Sequence, residues 1–312
     1  MSLLVVGSVA LDSVETPFGA REEVLGGSAT YFSAAASLLT KVSVVGVVGE
    51  DFEQGQLAFL EKRGVSLAGL ERVPGRTFRW KGKYGFDLNA AQTIDTQLNV
   101  FEHFQPKLSA AEKKADRIFL GNIDPELQLR VLDQVDRPKL VCADTMNYWI
   151  ESKRAVLEKL LPRVDVLMVN DGEARQLAGE SNVIRAAAAI LKMGAKTVVI
   201  KRGEFGALLC SPSESFFAPA FPLAEVVDPT GAGDSFAGGF LGLLDRQGNP
   251  DTRGAEGFQT LRQAVVMGCT IASFTVERFS LDRLRELALP EIRARFGAFR
   301  QLVQFEELGE SF

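Results

Sequence analysis

Residues 226–241 are Val226-Val227-Asp228-Pro229-Thr230-Gly231-Ala232-Gly233-Asp234-Ser235-Phe236-Ala237-Gly238-Gly239-Phe240-Leu241. A short strand end, Glu225-Val226-Val227, leads into a turn with two glycines, and a helix rich in small residues begins. The first N–H groups of a helix have no partner within it and carry partial positive charge, so such a start suits an anion. Gly231 and Gly233 let the backbone approach that anion with no Cβ in the way. Asp234 is an odd neighbour if anion binding is the whole task. It makes sense if it takes a proton from a hydroxyl that then attacks a phosphate held by the turn. The plainer alternative is that Asp234 caps the helix.

Outward from this turn, apolar strand runs alternate with helical patterns. Strands are expected at 3–9, 42–48, 117–121, 140–143, 164–169 and 197–201, and helices at 29–39, 53–63, 125–134, 151–160, 172–178 and 183–193. This βαβα rhythm predicts a mainly parallel sheet with helices on both faces. Beyond Asp234 the pattern turns helical, at 235–245, 255–276, 281–287 and 290–304. Two segments break the rhythm. Residues 11–25 follow the first strand without a helix, and alternation within 76–103 marks half-exposed strands. Together they predict a small antiparallel sheet projecting from the main one as a lid. Trp80, Tyr84 and Phe86 fall on it and would cover a substrate ring, form a dimer contact, or build the lid's own small core.

The bulk properties narrow the function. The chain has 312 residues and a net charge of −5. That charge speaks against a nucleic-acid partner, which wants a basic face. No apolar run is long enough to span a bilayer. The first residues lack a basic leader and cleavage site. No membrane association and a cytoplasmic location are therefore expected. Cys142, Cys210 and Cys269 are widely spaced and suggest buried small hydrophobes, not a disulfide or metal framework. His103 is the sole histidine, and a surface or lid position suits it.

Other nucleotide and hydrolase signatures are absent. Neither G-x-x-x-x-G-K-[ST] nor G-x-G-x-x-G occurs, so no P-loop or dinucleotide fingerprint is present. Gly233-Asp234-Ser235-Phe236-Ala237 imitates a nucleophile elbow, but no histidine follows it, as that hydrolase order requires.

The thirteen residues Asp228–Phe240 resemble the C-terminal signature of the PfkB (ribokinase-like) family of sugar and nucleoside kinases. Further segments resemble the family in the same order: Gly7 through Asp12 at the first strand end, Gly26-Gly27-Ser28-Ala29, Asn170-Asp171-Gly172-Glu173, and Lys201 through Ala207. The resemblance implies a three-layer α/β/α ribokinase-like fold with a mainly parallel sheet and a small antiparallel β lid. It implies one domain over 1–312, with lid segments near 11–25 and 76–103. It also implies transfer of a γ-phosphoryl group from ATP, with Mg2+, to a hydroxymethyl group of a sugar, polyol or nucleoside.

Residue by residue, Asp234 would be the general base, and the backbone of Gly231, Ala232 and Gly233 the anion hole. Asp12, Gly26 and Gly27 would line the acceptor pocket. Ionised Asp is acceptor-only and suits two neighbouring hydroxyls, although a turn role for Asp12 stays open. Tyr31, Asn122 and Asn147 would face the same pocket. Asn170, Lys201, Gly203, Gly206, Thr230 and Gly268 would serve the nucleotide, and Glu173 the metal through water. Asn170 and Glu173 equally fit a helix capping box, and Gly268 equally fits close helix packing.

Two departures bear on the acceptor. Where the family carries Asn two residues after Ala29, this chain has Tyr31, so an ordinary ribokinase or fructokinase specificity is not expected. The run beginning at Asp144 lacks the family's arginine, so another Lys or Arg must reach the phosphates. Tyr31 and the lid aromatics favour a ring-bearing acceptor. The rival function is a non-catalytic sugar or nucleotide sensor on the same fold; the retained Asp234, Gly231 and Gly233 speak against it. Exposed lid edges permit a lid-to-lid homodimer.

Overall fold

The structure, a computed structural model, describes residues 3–248 and 250–304. Thirteen strands occur among these residues: β1 (Leu3–Val6), β2 (Ala10–Thr16), β3 (Gly19–Gly26), β4 (Val42–Gly49), β5 (Ser66–Val73), β6 (Phe78–Tyr84), β7 (Ala91–Gln97), β8 (Arg117–Leu120), β9 (Leu140–Asp144), β10 (Val166–Asn170), β11 (Thr197–Lys201), β12 (Ala207–Cys210) and β13 (Ser215–Ala218). Nine form one sheet in the order β13-β12-β11-β10-β9-β8-β1-β4-β5. From β5 to β11 every pairing is parallel; β12 and β13 add antiparallel.

The central strands are near-continuous apolar runs because both faces are covered. Alternate residues go to opposite sides. Leu3, Val5 and Phe119 pack under the helices Ser28–Ala36, Ala232–Arg246 and Gly254–Thr275. Leu4, Val6 and Ile118 pack against Pro125–Leu132, Arg154–Leu160 and Val183–Lys192 on the other face. The result is the three-layer α/β/α architecture.

Several expected elements differ. The helix expected at 53–63 is confined to Ala58–Lys62, because Gly55 turns the chain at φ 97°. The segment 151–160 joins two helices, Asn147–Ser152 and Arg154–Leu160. Glu225–Val227 is not a strand end. The Val227 N–H donates instead to the Val276 carbonyl, 2.8 Å away, beyond the long helix. Strands β5, β12 and β13 were not anticipated. β5 is a half-exposed edge with no clean alternation, and β12 is only four residues long. Cys142, Cys210 and Cys269 are buried and unpaired, as expected.

The lid is a second sheet in the order β3-β2-β6-β7. It is two antiparallel hairpins joined by a parallel β2–β6 pairing. β2 continues from β1 after three residues, so the lid grows out of an interior strand of the main sheet, the third from its β5 edge. Thr77 anchors its second hairpin. Its N–H and hydroxyl both donate to Asp51 Oδ1, at 2.8 and 2.7 Å, and its Oγ1 accepts from the Gly49 N–H at 3.0 Å.

β1 lies between β4 and β8: the chain builds outward on one side and then returns to start the other. Such a reversal opens a crevice at the carboxyl ends of the strands, where open α/β sheets take ligands. Gly7, Gly121, Asp144, Asn170 and Lys201 all end or follow strands on that edge.

Candidate active site

The helix Ala232–Arg246 begins at Gly231, which takes the left-handed conformation at φ 72° that glycine adopts without penalty. Among the described residues no side chain caps this helix, and neither the Gly231 nor the Gly233 N–H has a hydrogen-bond acceptor. The Ala232 N–H is spoken for: it donates to the Pro229 carbonyl at 3.2 Å. A helix start left open in this way is prepared for an anion. Asp234 sits in its first turn without serving as its cap.

Burial is the main reason the Asp234 carboxyl is pushed up to about 7, with Asp144 adding repulsion and Lys201 partly opposing it. The turn itself is held by Asp228, which is buried at 1% exposure. Its Oδ1 accepts from the Thr230 N–H at 2.9 Å, and its Oδ2 from the Ser280 N–H at 3.0 Å. The Thr230 hydroxyl donates to the Tyr84 hydroxyl at 3.3 Å, which fastens the lid to the anion turn. Thr230 therefore faces the lid; nothing directs its side chain toward a nucleotide.

The expected acceptor motifs meet on the lid side of the turn. Gly27 enters the helix Ser28–Ala36 at φ 93°, and a side-chain carbon there would lie 2.5 Å from the Ser8 carbonyl oxygen. Ser8 and Ser28 clasp this corner, each backbone N–H donating to the other's hydroxyl at 3.1 and 3.0 Å. Asp12 packs so closely on Gly26 that a Cβ would overlap its carboxylate. Burial raises the Asp12 carboxyl to about 7; the Gly27 N–H favours its charge, and Asp228 and Asp234 oppose it.

Tyr31 is buried beneath the anion turn, and a Cβ on Gly231 would meet its ring. The ring thus links the glycine corner to the hole. Its hydroxyl lies beside Ser280 without reaching hydrogen-bond geometry with any described residue, and burial with nearby Asp12 pushes its pKa up. The Tyr84 hydroxyl is raised likewise, first by burial.

On the opposite side, Lys201 ends β11 and Asp144 ends β9. Their ammonium and carboxylate are 2.6 Å apart. Lys201 Nζ rests on the hole: a Cβ on Gly233 would lie 2.9 Å from it. Burial disfavours the Lys201 charge, but Asp144 and Glu173 outweigh it and hold its pKa above the usual value. Lys201 thus places a cation beside the hole in a chain whose run at Asp144 lacks the expected arginine. Asp144 is its positioning partner, a residue that sequence reasoning left out of the site; the signal was an acid closing an apolar strand on the ligand edge.

Asn170 and Glu173 form a full capping box, with Glu173 Oε2 accepting from the Asn170 N–H and Asn170 Oδ1 from the Glu173 N–H, both at 2.7 Å. Burial and Asp144 push the Glu173 carboxyl upward. The box occupies one Glu173 oxygen and leaves the other. No cluster of three metal-ligating side chains exists among the described residues. This donor set fits a hydrated Mg2+ held by one or two carboxylates, and not a dry protein cage.

The remaining candidates are dispersed. Asn122 Oδ1 accepts from Trp149 Nε1 at 3.1 Å, at the end of β8. Asn147 starts the helix Asn147–Ser152 after β9 and is exposed. Gly203 and Gly206 shape the turn after β11. Gly203 lies under Asn89 of the lid and Gly206 against the Ala218 carbonyl. Gly268 makes room for the Phe236 ring, 2.7 Å from where a Cβ would stand, so it serves helix packing.

A cleft of about 700 Å³ opens on the opposite edge of the sheet, near Leu140 and Lys196. Its Lys139, Lys196 and Arg253 are engaged by Asp116, Asp165 and Asp251. It holds nothing like the acid, hole and cation that converge at the carboxyl edge, and the carboxyl edge is therefore the better candidate site.

Several known proteins resemble this chain in sequence or fold. The chain is 32% identical over 252 residues to a cytidine kinase of Thermococcus kodakarensis, covering 79% of this chain and 89% of that protein. A nucleoside kinase of Methanocaldococcus jannaschii is 22% identical over 260 residues, covering 79% of each. Among solved structures, the Burkholderia thailandensis nucleoside kinase in complex with ADP-inosine superposes with a TM-score of 0.77 at 19% identity, covering 100% of this chain and 99% of that one. An E. coli protein assigned as ribokinase II, solved with ATP and Mg2+, gives 0.75 at 21% identity, covering 95% and 99%. The pfkB family carbohydrate kinase profile matches residues 3–285. With the signature turn, the glycine corner and the lidded sheet all in their expected order, the chain belongs to the pfkB family of carbohydrate kinases.

Proposed function

We propose that this chain is an ATP- and Mg2+-dependent kinase that phosphorylates the hydroxymethyl group of a nucleoside. The observation that carries the chemistry is the juxtaposition of Asp234, an uncapped helix start and Lys201 at one strand edge. Asp234 takes the proton of the attacking hydroxyl. The N–H groups of Gly231 and Gly233 and the Lys201 ammonium take up charge on the transferring phosphoryl oxygens. Positioning and electrostatics carry this class of reaction. Mg2+, held through water by Glu173, would supply charge neutralisation on the nucleotide phosphates. Asp12 accepts hydrogen bonds from two neighbouring acceptor hydroxyls and fixes which carbon faces Asp234.

Tyr31 in place of a hydrogen-bonding amide, the aromatics of the lid, and the resemblance to cytidine and nucleoside kinases support a nucleoside over a free sugar. Asp234, as a base, would be unnecessary in a sensor that only binds. The exposed edge strand β7 supports pairing of two lids in a dimer.

The test is ADP release with cytidine, adenosine, ribose, fructose and inositol, for the native protein and Asp234→Asn. The native protein is expected to turn over nucleosides fastest. The variant should lose about 10²–10⁴-fold in kcat while still binding acceptor. Unchanged kcat in Asp234→Asn would remove the base from the mechanism.

A further inference from the structure

We propose that the indole of Trp80 is a stacking platform that selects acceptors carrying a planar ring beside the hydroxyl pair. The inference deepens the nucleoside reading and rests on it.

Trp80 lies on β6 directly opposite Asp12 of β2. Residues paired in this way share a face of the sheet, and so do residues two apart along a strand. Trp80, Gly82 and Tyr84 therefore stand on the face that carries Asp12. That face points into the site: the Asp12 carboxylate is buried on Gly26, and the Tyr84 hydroxyl accepts from Thr230 of the anion turn.

The indole is folded flat along this face. A Cβ on Gly82 would fall 2.1 Å from the six-membered ring, so one side of the indole covers the bare Gly82 backbone. Its Nε1–H donates to Thr93 Oγ1 on β7 at 3.2 Å, which fixes the in-plane orientation. Trp80 remains half-buried. A tryptophan whose N–H is satisfied and whose underside is filled by backbone presents its other face as a ready apolar surface.

The order of groups is what makes this a specificity element. Asp234 faces the hydroxyl that is phosphorylated. Asp12, whose charge feels that of Asp234, comes next. Trp80 comes last, across the β2–β6 pairing. A pentose held by two hydroxyls on Asp12 would direct a base at its remaining ring carbon toward Trp80, whereas a free sugar leaves the indole uncovered. Base–aromatic stacking removed by truncation costs about ten- to a hundredfold in affinity.

Two measurements test this. In a Trp149→Phe background, Trp80 is the only tryptophan left. Cytidine is expected to change its fluorescence, excited at 295 nm, whereas ribose should not. In kinetics, Trp80→Ala should raise KM for cytidine about ten- to a hundredfold with little change for ribose. Gly82→Ala, which dislodges the ring without removing it, should act in the same direction. Equal losses for cytidine and ribose in Trp80→Ala, or a Trp80 signal indifferent to cytidine, would overturn the platform. The fluorescence titration needs no variant at position 80, so a misfolded Trp80→Ala leaves the test intact. A cytidine-dependent signal without ADP release would support the platform and sink the kinase reading; ADP release from cytidine with a silent Trp80 would do the reverse.

Discussion

Asp234 is a carboxyl held near neutrality by its surroundings. Burial raises it to about 7 and Asp144 adds repulsion, against the pull of Lys201. A base must be ionised to act, so kcat/KM should fall below about pH 7, and this limb should report the free enzyme. The same shift has a stability sign. A carboxyl whose folded pKa lies above its unfolded value of about 4 stabilises the fold fully below pH 4, and that contribution is lost as pH rises through about 7. Asp234→Asn should therefore melt higher than the native protein at pH 8.5, with the difference shrinking at pH 5.5. A native Tm advantage at pH 8.5 would contradict the burial argument. Much of this was legible in residues 226–241. What was not legible is the Lys201–Asp144 contact, because two strand ends 57 residues apart meet only through sheet order.

The helix Ala232–Arg246 lies between Ser28–Ala36 and Gly254–Thr275, and its glycines set the distances. A Cβ at Gly238 would stand 2.4 Å from the Phe32 carbonyl oxygen, which is backbone and cannot rotate away. Alanine is the better helix former by up to about 1 kcal/mol, but overpacking costs about 1–3 kcal/mol. The clash should win, so Gly238→Ala should lower Tm by several degrees. Gly297 in the helix Leu289–Val303 meets nothing within 4 Å. Gly297→Ala should leave Tm unchanged or raise it, and thermal unfolding of the pair checks both. The small-residue pattern announced a tightly packed helix in the sequence. It did not announce which partner each glycine faced, and so Gly268 was open to a nucleotide role before Phe236 was seen to fill its place. The strand β12 was hidden for a different reason: four residues are too few to show a period.

At the scale of the molecule, two sheets are joined at several separate points. Thr77 binds Asp51, the Thr230 hydroxyl binds Tyr84, and the Ser280 hydroxyl donates to the Leu25 carbonyl at 2.6 Å. We infer that lid and main sheet form one domain and unfold together. Calorimetry should give one transition, coincident with the loss of Trp80 fluorescence in the Trp149→Phe background; an earlier, separate lid transition would contradict it. The presence of the lid could be read from broken rhythm in the sequence. Its parallel β2–β6 seam could not, since that pairing joins segments more than sixty residues apart.

The tip of the lid's second hairpin reaches the turn after β11. Asn89 covers Gly203, and its amide donates to Glu204 Oε1 at 3.3 Å, on the turn after Lys201. The lid thus touches the anion turn through Tyr84 and the turn after Lys201 through Asn89. In the proposed kinase this last contact would have to break before bulk water reached the phosphoryl group, which would restrain wasteful hydrolysis of the donor.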